Sequence, residues 1–301
     1  MASPQLQAII QMFRAQPIRI GMSIQETRAA FEGMTSMVSV APDITKDPVE
    51  ADGVPAEWIS APNATAAATL YWLHGGGYTI GSINTHRDMI SRISRASGLR
   101  AFAIDYRLAP EHPFPAALED ALTGYRWLLK QGVDPESLVI GGDSAGGGLA
   151  LATLVSLRDA GEPLPAAAVL YSPWTDLAFT GESVKTRADA DPWIKPDIGS
   201  DVPSMYHGDY SPTDPLVSPL YADLAGLPPT LIIVGDAEVL LDDSTRVAEK
   251  SKAAGVDMTL EIWDEMIHVF PGFAAILPEG QQAIDRTGEF IRLKVHSGAA
   301  V

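Results

Sequence analysis

Apolar and polar positions along the chain follow two periods, and each period predicts its own kind of element. Leu6, Ile10 and Phe13 recur at i, i+4 and i+7, and Ile24, Phe31 and Met34 partly repeat that spacing. Residues 1–36 therefore read as a pair of amphipathic helices. From Val38 to Pro62 the pattern breaks into short β-like pieces separated by Pro42, Pro48, Gly53 and Pro55. Unbroken apolar runs at residues 69–73, 101–104, 138–140, 167–171 and 230–234 predict strands buried on both faces, and Met258–Trp263 alternates like a half-buried strand. Helical stripes fall between them. Leu118, Leu122, Tyr125 and Leu129 mark one over Ala116–Lys130, and others cover residues 149–158, 242–254 and 281–295, the last carrying Ile284, Ile291 and Val295.

Buried strands alternating with helices predict an α/β fold, with a mostly parallel central sheet covered by helices on both faces. Residues 177–215 interrupt the alternation. Asp189, Asp191, Pro192, Pro196, Gly199, Pro203, Gly208 and Pro212 punctuate short helical pieces around Trp193, Ile194, Met205 and Tyr206. The stretch is too short to bury a core of its own and reads as an insertion lying over the sheet. In such sheets ligands bind beyond the carboxyl ends of the strands. Residues 74–78, Ser144, residues 235–238 and His268 all follow strands, so one shared site is expected there.

Composition narrows the classes. The 301 residues suffice for one large domain, and 46% hydrophobic with 20% charged content is ordinary for a globular chain. A net charge of −17 argues against nucleic acid or an anionic membrane as partner. There are no cysteines, which excludes disulfides, thiolate metal sites and a cysteine nucleophile. The first residues lack a basic segment followed by an apolar run, and no apolar stretch reaches the ~20 residues of a membrane span. The expectation is a cytoplasmic protein without stable membrane insertion. Met12, Met22, Met34 and Met37 suit either docking helices or a mobile lid over an apolar pocket.

Gly142-Asp143-Ser144-Ala145-Gly146-Gly147 follows the apolar run 138–140 and fits a G-x-S-x-G nucleophile elbow. It also fits a glycine-rich helix start with a capping serine or a phosphate cradle. A serine hydroxyl needs a base, and imidazole has the matching pKa. Of His74, His86, His112, His207, His268 and His296, His268 is best placed, after a strand and the turn at 264–267. His74 precedes a glycine run and suits a prop for that loop. The base in turn needs a carboxylate. Residues 235–243 hold Asp236, Glu238, Asp242 and Asp243; position favours Glu238 and leaves Asp236 open, while Asp242 and Asp243 suit a helix start. Gly75-Gly76-Gly77 can offer bare backbone N–H groups to an oxyanion, with the Ala145 amide beside them. Neither G-x-x-x-x-G-K-[ST], nor G-x-G-x-x-G between a strand and a helix, nor H-E-x-x-H occurs, so no cofactor and no metal is expected.

Together His74-Gly75-Gly76-Gly77-Tyr78, the Gly142–Gly147 hexapeptide and Tyr106-Arg107-Leu108-Ala109-Pro110-Glu111 resemble the hormone-sensitive-lipase-like, or bacterial family IV, carboxylesterases. The likeness continues through Ser172-Pro173-Trp174, Val217-Ser218-Pro219-Leu220 and the loop at 235–243, covering about residues 65–295. It implies an α/β-hydrolase fold with a helical cap and a serine carboxylesterase acting on short- to medium-chain acyl esters. Ser144 would be the nucleophile, His268 the base, and the amides of Gly76, Gly77 and Ala145 the oxyanion donors. The family's acid is usually aspartate in G-x-x-D-x-L; Glu238 stands there, one methylene longer. The cap would correspond to residues 1–40 and the insertion at 177–215, the catalytic domain to 41–301. Family members often form homodimers through the last strand and helix, here Met258–Trp263 and about 281–295.

Tyr78, Trp193, Met205 and Tyr206 are candidates to line an apolar pocket for a small-molecule ester, with cap core as the alternative for at least two of them. An amidase or arylformamidase would use the same triad. A non-catalytic small-molecule receptor on this scaffold, like the plant gibberellin receptors, would lack the histidine that is present as His268.

Overall fold

The computed structural model describes residues 3–15, 22–35, 38–195 and 201–295. Met37, Pro196, Gly199 and His296 lie outside them. Two helices, α1 (Pro4–Ala15) and α2 (Ile24–Thr35), open the chain, followed by strands β1 (Thr45–Ala51), β2 (Val54–Ser60) and β3 (Thr65–Leu73). Then come α3 (Ile83–Ser97), β4 (Leu99–Ile104), α4 (Ala116–Lys130), β5 (Leu138–Asp143) and α5 (Ala145–Asp159). β6 (Ala167–Tyr171) leads into the short helices α6 (Ser183–Thr186) and α7 (Asp201–His207). The chain ends with β7 (Thr230–Gly235), α8 (Leu241–Ala253), β8 (Met258–Trp263) and α9 (Pro278–Lys294). No helix among the described residues is long and apolar enough to cross a membrane.

The strands form one eight-stranded sheet in the order β1-β2-β4-β3-β5-β6-β7-β8. β1 pairs antiparallel with β2, and β2 with β4; every later pairing is parallel. Side-chain alternation divides the apolar residues between two cores. Tyr71, Phe102, Ile140 and Ile232 meet Leu118 of α4, Leu149 of α5 and Val247 of α8 on one face. Leu70, Trp72, Val139 and Ile233 meet Leu6 of α1, Ile90 of α3 and Ile284 of α9 on the other. Each such side chain removed from water contributes about 1.5–3 kcal/mol, so the doubly covered strands carry most of the stability. They are also the strands the apolar runs predicted.

Three elements depart from the pattern. α3 occupies residues that gave no clear stripe. Its signals are a capping box between Ser82 and Thr85 and Gly98 in the left-handed conformation at its end. α5 begins at Ala145 rather than 149, because its first turn is built of glycines, which helix propensity disfavours. α9 begins at Pro278, where proline's missing N–H is no loss in a first turn.

Helix α2 buries only Thr27 and Phe31. Polar contacts hold it instead. Arg28 pairs with Glu111 through two bonds of 2.9 and 2.7 Å and donates to the carbonyls of Thr79 and Ala109. Phe13 of α1 stacks on Trp193 at 4.8 Å, joining the N-terminal helices to the segment after β6 above the carboxyl edge of the sheet.

Candidate active site

Ser144 sits between β5 and α5 with φ +52° and ψ −121°, a conformation that costs a non-glycine residue about 1–3 kcal/mol. Its neighbours hold it there. The Ser144 amide donates to the Tyr171 carbonyl and its own carbonyl accepts from Trp174, both at 2.8 Å. The glycines are explained by close approach: a Cβ at Gly146 would stand 2.0 Å from the Leu73 carbonyl oxygen, and one at Gly142 would stand 2.3 Å from that of Gly146.

The turn aims the hydroxyl at a histidine. Ser144 Oγ lies 2.9 Å from His268 Nε2, and His268 Nδ1 lies 2.5 Å from Glu238 Oε2. The other Glu238 oxygen accepts the Gly235 amide at 3.1 Å, and the Ser172 hydroxyl also bonds this carboxylate. Ser172 Oγ accepts the Val269 amide at 3.1 Å, so one side chain steadies both the acid and the residue after the base. Ser172 and Val269, like Ser144, have positive φ, so strain gathers at this site.

Burial and charge tune the pair. Burial raises the Glu238 carboxyl above its ordinary value, against the pull of His268. Burial also acts to depress the His268 imidazole. The Glu238 charge and hydrogen bond, with Asp191 and Asp143 behind them, outweigh that and leave it raised. Asp236, the alternative acid, turns away: its Oδ1 accepts the Glu265 amide at 2.6 Å. Asp242 accepts the Ser183 amide at 2.9 Å, and Asp243 accepts those of Thr175 and Asp176.

Gly76 and Gly77 have φ of +122° and +60°, and a Cβ at Gly76 would stand 2.1 Å from the Ile80 carbonyl oxygen. Among the described residues the amides of Gly76 and Gly77 donate to nothing. Ala145 opens α5, where a helix's first N–H groups have no acceptor within the helix. All three are free to receive an oxyanion. Beneath this loop His86 Nε2 lies 3.1 Å from Asp143 Oδ2 and 3.2 Å from the Gly75 amide. Burial opposes both charges, yet their mutual attraction raises His86 and lowers Asp143. His74 stacks on Tyr106 at 4.2 Å, and burial with the His86 charge pushes it down to about 3, which keeps it neutral. No group of three or more described His, Cys, Asp or Glu residues is placed to hold a metal ion.

A cavity of about 320 Å³ opens on Ser144 and His268, walled by Phe13, Phe31, Trp193, Ile194 and Leu240. Of the four pocket candidates only Trp193 lines it, edge-on to His268 at 5.9 Å. Tyr78 and Tyr206 are instead buried core, stacked on each other at 3.6 Å, and Met205 packs half-buried against that core. Two large flat rings next to a tight loop gain more by stacking than by facing a water-filled cavity. Phe13, Phe31, His86, Ser172 and Asp191 also belong to the site, although the sequence pattern assigns none of them a role there. Ser172 belongs to the Ser-Pro-Trp tripeptide, Phe13 and Phe31 to helical stripes, His86 to the six histidines and Asp191 to the breakers of the insertion, and none of these signals points to a catalytic site.

A family model for the α/β-hydrolase fold matches residues 70–272. A protein of Streptomyces hygroscopicus named acetyl-hydrolase is 40% identical over 298 residues, spanning 99% of both chains. An esterase of Acinetobacter venetianus is 35% identical over 275 residues, 91% of this chain and 90% of that one. A crystal structure described as an esterase from the bacterial hormone-sensitive lipase family superposes with TM-score 0.95 at 50% identity, covering 98% of this chain and 99% of the other.

Proposed function

The chain belongs to the bacterial hormone-sensitive-lipase family of α/β-hydrolase esterases, and we propose that it cleaves short- to medium-chain acyl esters through Ser144, His268 and Glu238. The observation that carries the triad is the 2.9 Å contact between Ser144 Oγ and His268 Nε2. His268 takes the hydroxyl proton as Ser144 Oγ bonds to the ester carbonyl carbon, and the carbonyl electrons move to its oxygen. That oxyanion rests on the amides of Gly76, Gly77 and Ala145, where one donor is worth about 10²–10³ in rate. The C–O bond then breaks, and His268 gives its proton to the departing alkoxide. A water deprotonated by His268 next attacks the acyl-serine, releasing the acid and restoring the hydroxyl. Glu238 holds the imidazole tautomer and stabilises the imidazolium throughout.

Residues 1–40 and 177–215 act in this reading as a cap whose aromatic side chains select the acyl group. A cavity of about 320 Å³ is at the small end of ligand pockets and favours short chains. The test is Ser144→Ala assayed on 4-nitrophenyl esters from C2 to C12. We expect kcat to fall by about four to six orders of magnitude with unchanged circular dichroism, and the wild type to favour the shorter half of the series. Substantial activity in the variant would remove Ser144 from the mechanism.

A further inference from the structure

The cavity mouth carries charge of the opposite sign to the molecule. The chain has 38 acidic and 21 basic residues, and many of its arginines are neutralised by carboxylates, as in Arg28–Glu111, Arg87–Glu57 and Arg107–Asp120. Arg14 and Lys195, the Arg and Lys among the described residues that line the cavity, have no carboxylate partner among those residues. Arg14 donates one bond, through Nη2, to the Asp189 carbonyl at 3.3 Å. Lys195 Nζ donates to the carbonyls of Ala188 and Asp191 at 2.7 and 2.5 Å. Backbone carbonyls orient these cations without cancelling them. Four of the five guanidinium N–H groups and one ammonium N–H have no acceptor among the described residues. Among the described residues one carboxylate lines the cavity, that of Asp143, and it is buried and engaged by His86 and Trp72.

Their placement is fixed relative to the reacting atoms. Arg14 adjoins Phe13, whose ring stacks on Trp193 at 4.8 Å; Lys195 follows Trp193 by two residues; and Trp193 stands edge-on to His268. The backbones that carry both cations are thus tied to the aromatic pair, and Arg14, Lys195, Ser144 and His268 all line the same cavity. A neutral acyl chain has no use for them. A carboxylate carried on the substrate would meet a guanidinium and an ammonium in the cavity lining, and no described carboxylate would have to be displaced for charge-assisted bonds to form.

We infer that the preferred substrates are esters bearing a carboxylate on the arm that reaches Arg14 and Lys195. The inference rests on the esterase reading above and deepens it. Matched pairs test it on both sides of the scissile bond: mono-4-nitrophenyl adipate against 4-nitrophenyl hexanoate, and 4-acetoxybenzoate against 4-acetoxybenzamide. In at least one pair the wild type should favour the anionic member in kcat/KM. Arg14→Gln should cut that anionic-to-neutral ratio about tenfold, mainly through KM, and Arg14→Lys should restore most of it. Lys195→Gln should act in the same direction but also releases two carbonyls, so Arg14→Gln, which gives up one long bond, is the deciding variant. Ratios within twofold of each other in wild type and Arg14→Gln for both pairs would overturn the inference while leaving the esterase reading intact. Absence of turnover on all four esters would overturn both.

Discussion

Asp191 and Val239 join two parts of the chain that the catalytic acid needs kept together: Asp191 Oδ2 accepts the Val239 amide at 3.0 Å. The Ser183 hydroxyl donates to the Val239 carbonyl at 2.6 Å, so both backbone groups of the residue after Glu238 are held by the segment that follows β6. Asp191 Oδ1 meanwhile accepts the amides of Trp193 and Ile194, which wall the cavity. One fully buried carboxylate thereby sets the pocket wall and the acid loop in a common frame.

Asp191→Asn tests that coupling. The amide keeps the shape but points an N–H₂ group at one of the three N–H donors. We expect kcat to fall about tenfold, roughly 1.4 kcal/mol, with a smaller change in KM. A purely structural role would stop there. Because the Asp191 charge also helps raise the His268 imidazole, its removal should move the acid limb of the kcat/KM profile to lower pH. An unmoved limb would confine Asp191 to packing.

The wild-type profile follows from the base. His268 can accept the Ser144 proton only when neutral, and its folded-state value lies above the ordinary 6.5. Activity should therefore fall as pH drops through a point above 6.5. Glu238→Gln removes the charge that holds the imidazole up and, with its one oxygen kept by the Gly235 amide, turns N–H₂ toward Nδ1, leaving burial, which acts the other way. Its kcat should drop by about three to four orders of magnitude and its residual acid limb should lie lower than the wild type's. Asp236→Ala loses only the cap on the Glu265 amide and should retain most activity in the same assay.

The parts of this site that could be read in the sequence are those whose chemistry is local. Ser144 needs its glycines within two residues, since Leu73 and Gly146 carbonyls crowd any Cβ there, so the elbow is written in consecutive letters. The buried strands announce themselves for the same reason: each pairs with apolar layers on both faces, so its own run is apolar. The contact between Phe13 and Trp193 has no such signature, because the two residues are 180 positions apart and each is only an aromatic on a short apolar face. Tyr78 and Tyr206 looked like pocket walls for the converse reason. Nothing nearby in the chain shows that each supplies the other's stacking partner. The choice between Asp236 and Glu238 likewise turned on a turn geometry, at Glu265, that composition does not encode.

Asp243 offers a last measurement, on stability instead of turnover. Its Oδ2 accepts the amides of Thr175 and Asp176 at 2.7 and 2.8 Å, while Oδ1 is buried without a partner among the described residues. Burial pushes this carboxyl up to about 8 from 3.8, against the pull of the two amides and with the nearby Asp176 charge adding to the rise. A raised folded-state value means the folded protein binds more protons than the unfolded chain between those limits. Stability should then decline as pH rises through that window, at a limiting slope of about 1.4 kcal/mol per unit. Asp243→Asn abolishes this proton linkage. Its oxygen can keep the two amide bonds, and its N–H₂ occupies the unpartnered side much as the protonated acid's O–H does. The variant should melt at or slightly below the wild-type temperature at pH 5 and at least about 2–4 °C above it at pH 9. A variant less stable than wild type at pH 9 would show that Asp243 is held as a carboxylate in the fold.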